Sequence, residues 1–141
     1  MPNKPIVYLS GGMSGIPDWN FPLFDKFAQD LREKGYRVVN PADFGAKDRH
    51  TWRDCLCRDL GMLAHVDIVA TLPNWHTSKG ARLEVETAEA LGIEIVTVFD
   101  LLLSLPPVPI RVDKDKPVET ESRIRKLSGW ICSLFSIESA L

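Results

Sequence analysis

Residues 67–99, DIVATLPNWHTSKGARLEVETAEALGIEIVTVF, hold one complete strand–helix–strand unit. Asp67–Leu72 is short, apolar and closed by Pro73, the pattern of a buried strand. The loop PNWHTSKG follows, and from about Ala81 to Leu91 apolar residues recur at helical spacing until Gly92 supplies a stop. Ile93–Phe99 then reads as another buried strand. A helix between two such strands is a crossover between parallel neighbours.

The same alternation extends upstream. Ile6–Ser10 is a strand ended by Gly11-Gly12, and the loop SGGMSGIPDWN leads to a helix carrying Phe21, Phe24, Phe27, Ala28 and Leu31 before Gly35. Tyr36–Val39 is the next strand, closed by Asn40-Pro41. A polar stretch, ADFGAKDRH, brings the chain to Thr51, an N-cap for a helix from Trp52 to about Ala64. The order β-α-β-α-β-α-β predicts a single-domain, three-layer α-β-α sandwich over residues 1–141, with a core over 5–100. Its parallel sheet has four or five strands and is flavodoxin- or Rossmann-like. Beyond the core, Leu105–Pro109 is a proline-rich break, Ile110–Val112 a short edge strand and Asp113–Pro117 an exposed loop. Glu121–Phe135 reads as an amphipathic helix with Ile124, Leu127, Ile131 and Leu134 on one side, suited to packing on the domain or a partner subunit.

Composition narrows the function classes. With 45% apolar residues in 141, one domain can build a core, and a net charge of −2 offers no basic surface for a nucleic acid polymer. The three cysteines, Cys55, Cys57 and Cys132, are odd in number and form no Cys-x-x-Cys pair, so the expectation is a reducing, cytoplasmic setting without a metal site. The N-terminus lacks the apolar core of a signal peptide, and no apolar run is long enough to span a bilayer.

In a parallel sheet, ligands bind beyond the carboxyl ends of the strands. Here those ends are Ser10-Gly11-Gly12, Asn40-Pro41 and Pro73-Asn74. The glycines of the first loop match neither the dinucleotide nor the P-loop signature, and alone they read as a tight turn. The carboxylates say more. Ala81, Val85, Ala88 and Leu91 form an inward stripe, and Glu84 falls within it. On its helix Asp59 lies at the edge of a stripe formed by Leu56, Leu60 and Leu63. Buried carboxylates need a partner or a task. A salt bridge or an N-terminal cap would account for Glu84, and an ion pair with an arginine for Asp59. Asp67, at the far end of the sheet, reads as structural, capping or pairing with His65. Two inward carboxylates on neighbouring helices are also the equipment of glycosyl transfer.

The motifs YLSGGMSG, RDLGMLAHVDIVATLPNW and SKGARLEVETAEALG, spaced over about residues 6–99, resemble the nucleoside 2-deoxyribosyltransferase-like superfamily. The nearest resemblance is to a small, phage-associated branch of unknown function, with further similarity to nucleoside 5′-monophosphate N-glycosidases. The most specific element is Ser78, Gly80 and Glu84, with Asp59 upstream. The resemblance implies that Glu84 attacks the anomeric carbon, that Asp59 contacts the base and helps the leaving group take a proton, and that Tyr8 lies near the nucleophile. Ser78 matches a serine that donates to a 5′-phosphate in the hydrolases, where the transferases carry an acidic residue for the 5′-hydroxyl. A carboxylate there would repel a phosphate. An N-cap is the plain alternative for Ser78, and a core aromatic for Tyr8.

Ser10, Gly11, Gly12, Trp19, Asn20, Asn74 and Trp75 complete the expected substrate-binding set, with the base stacked among Trp19 and Trp75. The hydrolases carry an arginine in the first glycine loop, where this chain has Met13 and Ser14. Transferases close their site with a neighbour's C-terminus, for which only Ser136 and Glu138 are available here. The resemblance therefore implies a small-molecule nucleoside or nucleotide substrate, no cofactor, and a homo-oligomer. Rival readings are a nucleotide-binding or sensor protein without catalysis, an NAD glycohydrolase, and a structural protein, which the cost of two inward carboxylates disfavours.

Overall fold

The computed structural model describes residues 3–45 and 51–107. The expected edge strand at 110–112, the helix at 121–135, Cys132, Ser136 and Glu138 lie outside the described residues.

Four strands, β1 (Ile6–Ser10), β2 (Arg37–Val39), β3 (Ile68–Thr71) and β4 (Glu94–Thr97), pair in parallel in the order β2-β1-β3-β4. Val7 pairs with Val38 on one side and Ile68 on the other, so β1 is central. The chain runs outward from β1 to β2, then crosses back to β3. The point where strand order reverses therefore falls between β1 and β3, where open α/β sheets take their ligands.

Four helices cover the sheet: α1 (Phe21–Lys34), α2 (Trp52–Leu63), α3 (Lys79–Leu91) and α4 (Val98–Leu103). Successive strand side chains face opposite layers. Val7 and Leu9 join Phe24, Phe27, Ala28 and Leu31 of α1 and Val98 and Leu101 of α4 in one core cluster. Tyr8 points the other way, into a cluster with Leu63 of α2 and Ala88 and Leu91 of α3. The result is the three-layer α/β sandwich the alternation predicts, with α1 and α4 on one face and α2 and α3 on the other.

Local chemistry sets the boundaries. Gly35 and Gly92 end α1 and α3 in the left-handed conformation, at φ 110° and 70°. Thr51 and Asp54 form a reciprocal capping box that starts α2. Asp67 accepts the backbone N–H of Ile6 at 2.8 Å, a structural tie between the starts of β1 and β3.

One expected element is different. The last strand ends at Thr97, short of Phe99, and the chain turns into α4. Thr97 caps this helix: its hydroxyl donates to the Asp100 carboxylate at 2.7 Å and accepts the Asp100 N–H at 3.1 Å. Val98 and Leu101 then bury against the α1 layer. Among the described residues no helix is long and apolar enough to cross a membrane.

Candidate active site

Tyr8 and Ser10 lie two apart on β1 and so face the same layer, where α3 presents Glu84. The Tyr8 hydroxyl donates to Glu84 Oε1 at 3.0 Å and the Ser10 hydroxyl to Oε2 at 2.6 Å. Tyr8 and Ser10 are wholly buried and Glu84 is 7% exposed. Each carboxylate oxygen thus has its own donor from the central strand, which fixes the plane of the group.

Burial pushes Glu84 up from its usual 4.5 to about 7. The Ser10 hydrogen bond opposes that rise, the negative charge of Asp59 adds to it, and the Tyr8 hydrogen bond opposes it. The Tyr8 phenol is itself held well above 10, by burial first and then by the charges of Glu84 and Asp59, and remains a donor.

Asp59 reaches the same place from α2. Its Oδ1 takes both contacts from the adjacent Arg58, with Nε at 2.9 Å and Nη2 at 2.8 Å. The ion pair that would account for a buried Asp59 is therefore present, and its partner is the preceding residue. Burial still raises the Asp59 carboxyl, with Arg58 opposing the rise. No hydrogen bond among the described residues reaches Oδ2, which leaves it available to a ligand. Arg58 is anchored over the Phe44 ring, 5.0 Å from its centroid.

Glu84 and Asp59 line one cleft of about 80 Å³ at the carboxyl ends of the strands. Gly11, Met13 and Ser14 of the first loop, Trp52, Cys55 and Leu56 of α2, and Ser78, Gly80 and Ala81 at the start of α3 form the rest of it. The α2 residues recur at positions 52, 55, 56 and 59, one helical face. A larger hollow of about 400 Å³ lies at the opposite end of the sheet, among Pro5, Ile68, Glu94 and Pro107. It holds none of the buried carboxylates, whereas the smaller cleft is lined by both Glu84 and Asp59.

The expected site residues divide. Glu84, Asp59, Ser78, Gly80 and Gly11 meet in the cleft, with Tyr8 directly behind it. Ser10 is wholly buried behind Glu84, so its contact is with the carboxylate, where substrate binding was the expectation. Ser78 does cap α3, accepting the Ala81 N–H at 3.3 Å. Gly11 is dictated by packing: a Cβ there would meet the Leu72 Cβ at 2.9 Å. Gly12 stands beside Ser78, where a Cβ would lie 3.5 Å from the serine Cβ.

Trp19, Asn20, Asn74 and Trp75 are not among the cleft's lining. Asp18, Trp19 and Asn20 follow one another in the left-handed region, at φ 51°, 54° and 60°. The Asn20 amide donates to the Gly12 carbonyl at 2.9 Å, which ties this turn to the glycine loop. Asn74, at φ 61°, turns the chain after β3, and Trp75 sets its ring edge-on to His76. The aromatic that does line the cleft is Trp52. Its position on the Asp59 face of α2 was readable from helical spacing. Among the described residues no group of three His, Cys, Asp or Glu side chains could hold a metal ion.

Residues 5–97, which include all four described strands, Asp59 and Glu84, match the family described as Domain of unknown function (DUF4406). The chain belongs to the DUF4406 family. No curated protein matches it. The DUF4406 match ends with β4, so the whole sheet and the cleft lie inside it, while α4 lies beyond it.

Proposed function

We propose that the cleft cleaves the N-glycosidic bond of a nucleoside 5′-monophosphate or deoxynucleoside, with Glu84 as nucleophile. The observation that carries this reading is the Glu84 carboxylate itself. It is buried, aligned by two hydroxyls from β1, and opens on a cleft shared with a second carboxylate. A purely structural carboxylate would be expected to meet a cation. Glu84 meets two neutral donors, and the nearby charge of Asp59 is of its own sign.

In the proposed reaction a Glu84 oxygen forms a bond to C1′ as the C1′–N bond breaks, through an oxocarbenium-like transition state. The bonding pair leaves with the base nitrogen, and the base takes up a proton with the help of Asp59 at the leaving-group side. Water then attacks C1′, freeing the sugar and restoring the carboxylate. An acceptor base in place of water would make the same site a transferase. The likeness to the nucleoside 2-deoxyribosyltransferase-like superfamily supports both outcomes.

The start of α3 favours a phosphorylated substrate. Ser78 keeps its hydroxyl proton free to donate while its oxygen caps the helix, and the positive end of the helix dipole favours an anion. Small-molecule sites usually enclose about 300 Å³ or more. At about 80 Å³ the described cleft has room for only part of a nucleotide, and in this reading a neighbouring subunit would cover the rest.

The test is a screen of ribo- and deoxyribonucleosides and their 5′-monophosphates for free base by chromatography, with a second base added in parallel. Glu84→Gln or Glu84→Ala should abolish base release. An unchanged rate in either variant sinks the assignment.

A further inference from the structure

Among the described residues, Trp52 is an aromatic side chain outside the core. It opens α2, is 48% exposed, and belongs to neither buried cluster. Yet it is not loose. The Lys79 ammonium sits over its ring, 5.1 Å from the centroid, and the indole reaches across to the start of α3. There the ring runs beside Gly80, with the indole Nε1 3.9 Å from where a Cβ would stand, an ordinary contact distance. The Lys79 contact thus keeps Trp52 at the mouth of the cleft that has Asp59 and Glu84 at its floor.

Leaving a large apolar ring half in water forgoes part of its burial energy. A cation–π contact at an exposed site is weaker than the burial it would replace. The balance favours covering the indole, and what fits a planar ring beside a narrow cleft is another planar ring. Trp52 and Asp59 are seven residues apart on one helix face, about 10 Å by helical rise. A heterocyclic base lying along that face would reach from the carboxylate to the indole, over Cys55 and Leu56.

We propose that Trp52, pinned by Lys79, is the platform on which the base of the ligand packs. The inference rests on the reading of the cleft as a nucleoside or nucleotide site. It assigns base contact to an aromatic on α2, in place of Trp19 and Trp75.

The experiment separates binding from turnover. Binding of the common ribo- and deoxyribonucleosides and their 5′-monophosphates is followed by calorimetry and tryptophan fluorescence in the full-length Glu84→Gln protein, and base release is followed in the otherwise unchanged enzyme. Trp52→Ala should weaken binding of the preferred nucleotide by roughly tenfold or more, and Trp52→Phe by much less. Trp52→Phe should also remove the ligand-induced fluorescence change, which Trp19→Phe and Trp75→Phe should leave in place. Unchanged affinity in Trp52→Ala, or a fluorescence response that survives Trp52→Phe, overturns the platform while base release stands on its own. Binding that depends on Trp52 without any base release supports the platform and rejects the glycosidase. No binding of any nucleoside or nucleotide rejects both.

Discussion

A carboxylate that attacks carbon has to be ionised, and Glu84 ionises only against its burial. The two hydroxyls on β1 determine how far that cost is offset. Ser10 makes the shorter bond, 2.6 Å against 3.0 Å for Tyr8, and it does so from a wholly buried position. Both bonds favour the charged form, so removing either should push Glu84 further up. Base release should therefore rise with pH through about 7 in the natural chain. In Ser10→Ala the acidic limb should move upward by roughly one pH unit, as the loss of a hydrogen bond to a charged group predicts. Ser10→Thr, which keeps the hydroxyl, should restore the original profile. The readout is kcat/KM for base release against pH. A Ser10→Ala profile that falls in height without moving its limb would make Ser10 a packing residue only.

At the scale of elements, the start of α3 joins two roles in one side chain. Ser78 caps the helix and, in the proposed function, donates to a phosphate. Substitution separates them. Ser78→Ala loses the cap, at about 1 kcal/mol, and should lower Tm. Ser78→Asp keeps a strong capping side chain and should hold Tm, but it sets a carboxylate where the phosphate would lie. The expected result is a preference for free nucleosides over their monophosphates in Ser78→Asp, read as the ratio of kcat/KM values. An unchanged ratio would leave Ser78 with the cap alone. The elements themselves were legible because sequence periodicity reports burial directly. The inward stripe of α3 was read from Ala81, Val85, Ala88 and Leu91, and each is buried with Glu84 among them. The short helix α4 was missed because Val98 and Phe99 extend an apolar strand pattern; the sign of a turn lay in Thr97 and Asp100, a capping pair three apart. Two contacts, of Trp52 and of Arg58, were not legible for another reason. These contacts, with Lys79 and with Phe44, join segments that only the fold brings together.

Across the whole molecule, the site acts against the stability of the fold that builds it. Between 4.5 and about 7 the native chain keeps a proton on Glu84 that the unfolded chain has released. The unfolded state then binds fewer protons, so stability falls as pH rises through this window. The contribution is fully favourable below 4.5, is lost on the way to about 7, and is constant above it. The raised carboxyl of Asp59 acts in the same direction. A rise from 4.5 to about 7 corresponds to a loss on the order of 3 kcal/mol, a large share of the 5–15 kcal/mol that holds a domain together. Glu84→Gln has no charge to bury and should be nearly the size of the original. Its stability in urea should match that of the natural chain near pH 4.5, apart from the altered hydrogen bonds, exceed it increasingly up to about pH 7, and level off above that. Parallel stability curves for the two proteins across that range would mean that Glu84 is solvated or paired in solution, and so not a poised nucleophile. The hydroxyls of Tyr8 and Ser10 would remain as partners for the glutamine, one donating to its carbonyl and the other accepting from its amide, and because that exchange does not titrate, the pH dependence of the difference reports the charge. A gain in stability on removing a buried charge, together with loss of base release, is what a site maintained for chemistry at the expense of the fold should show.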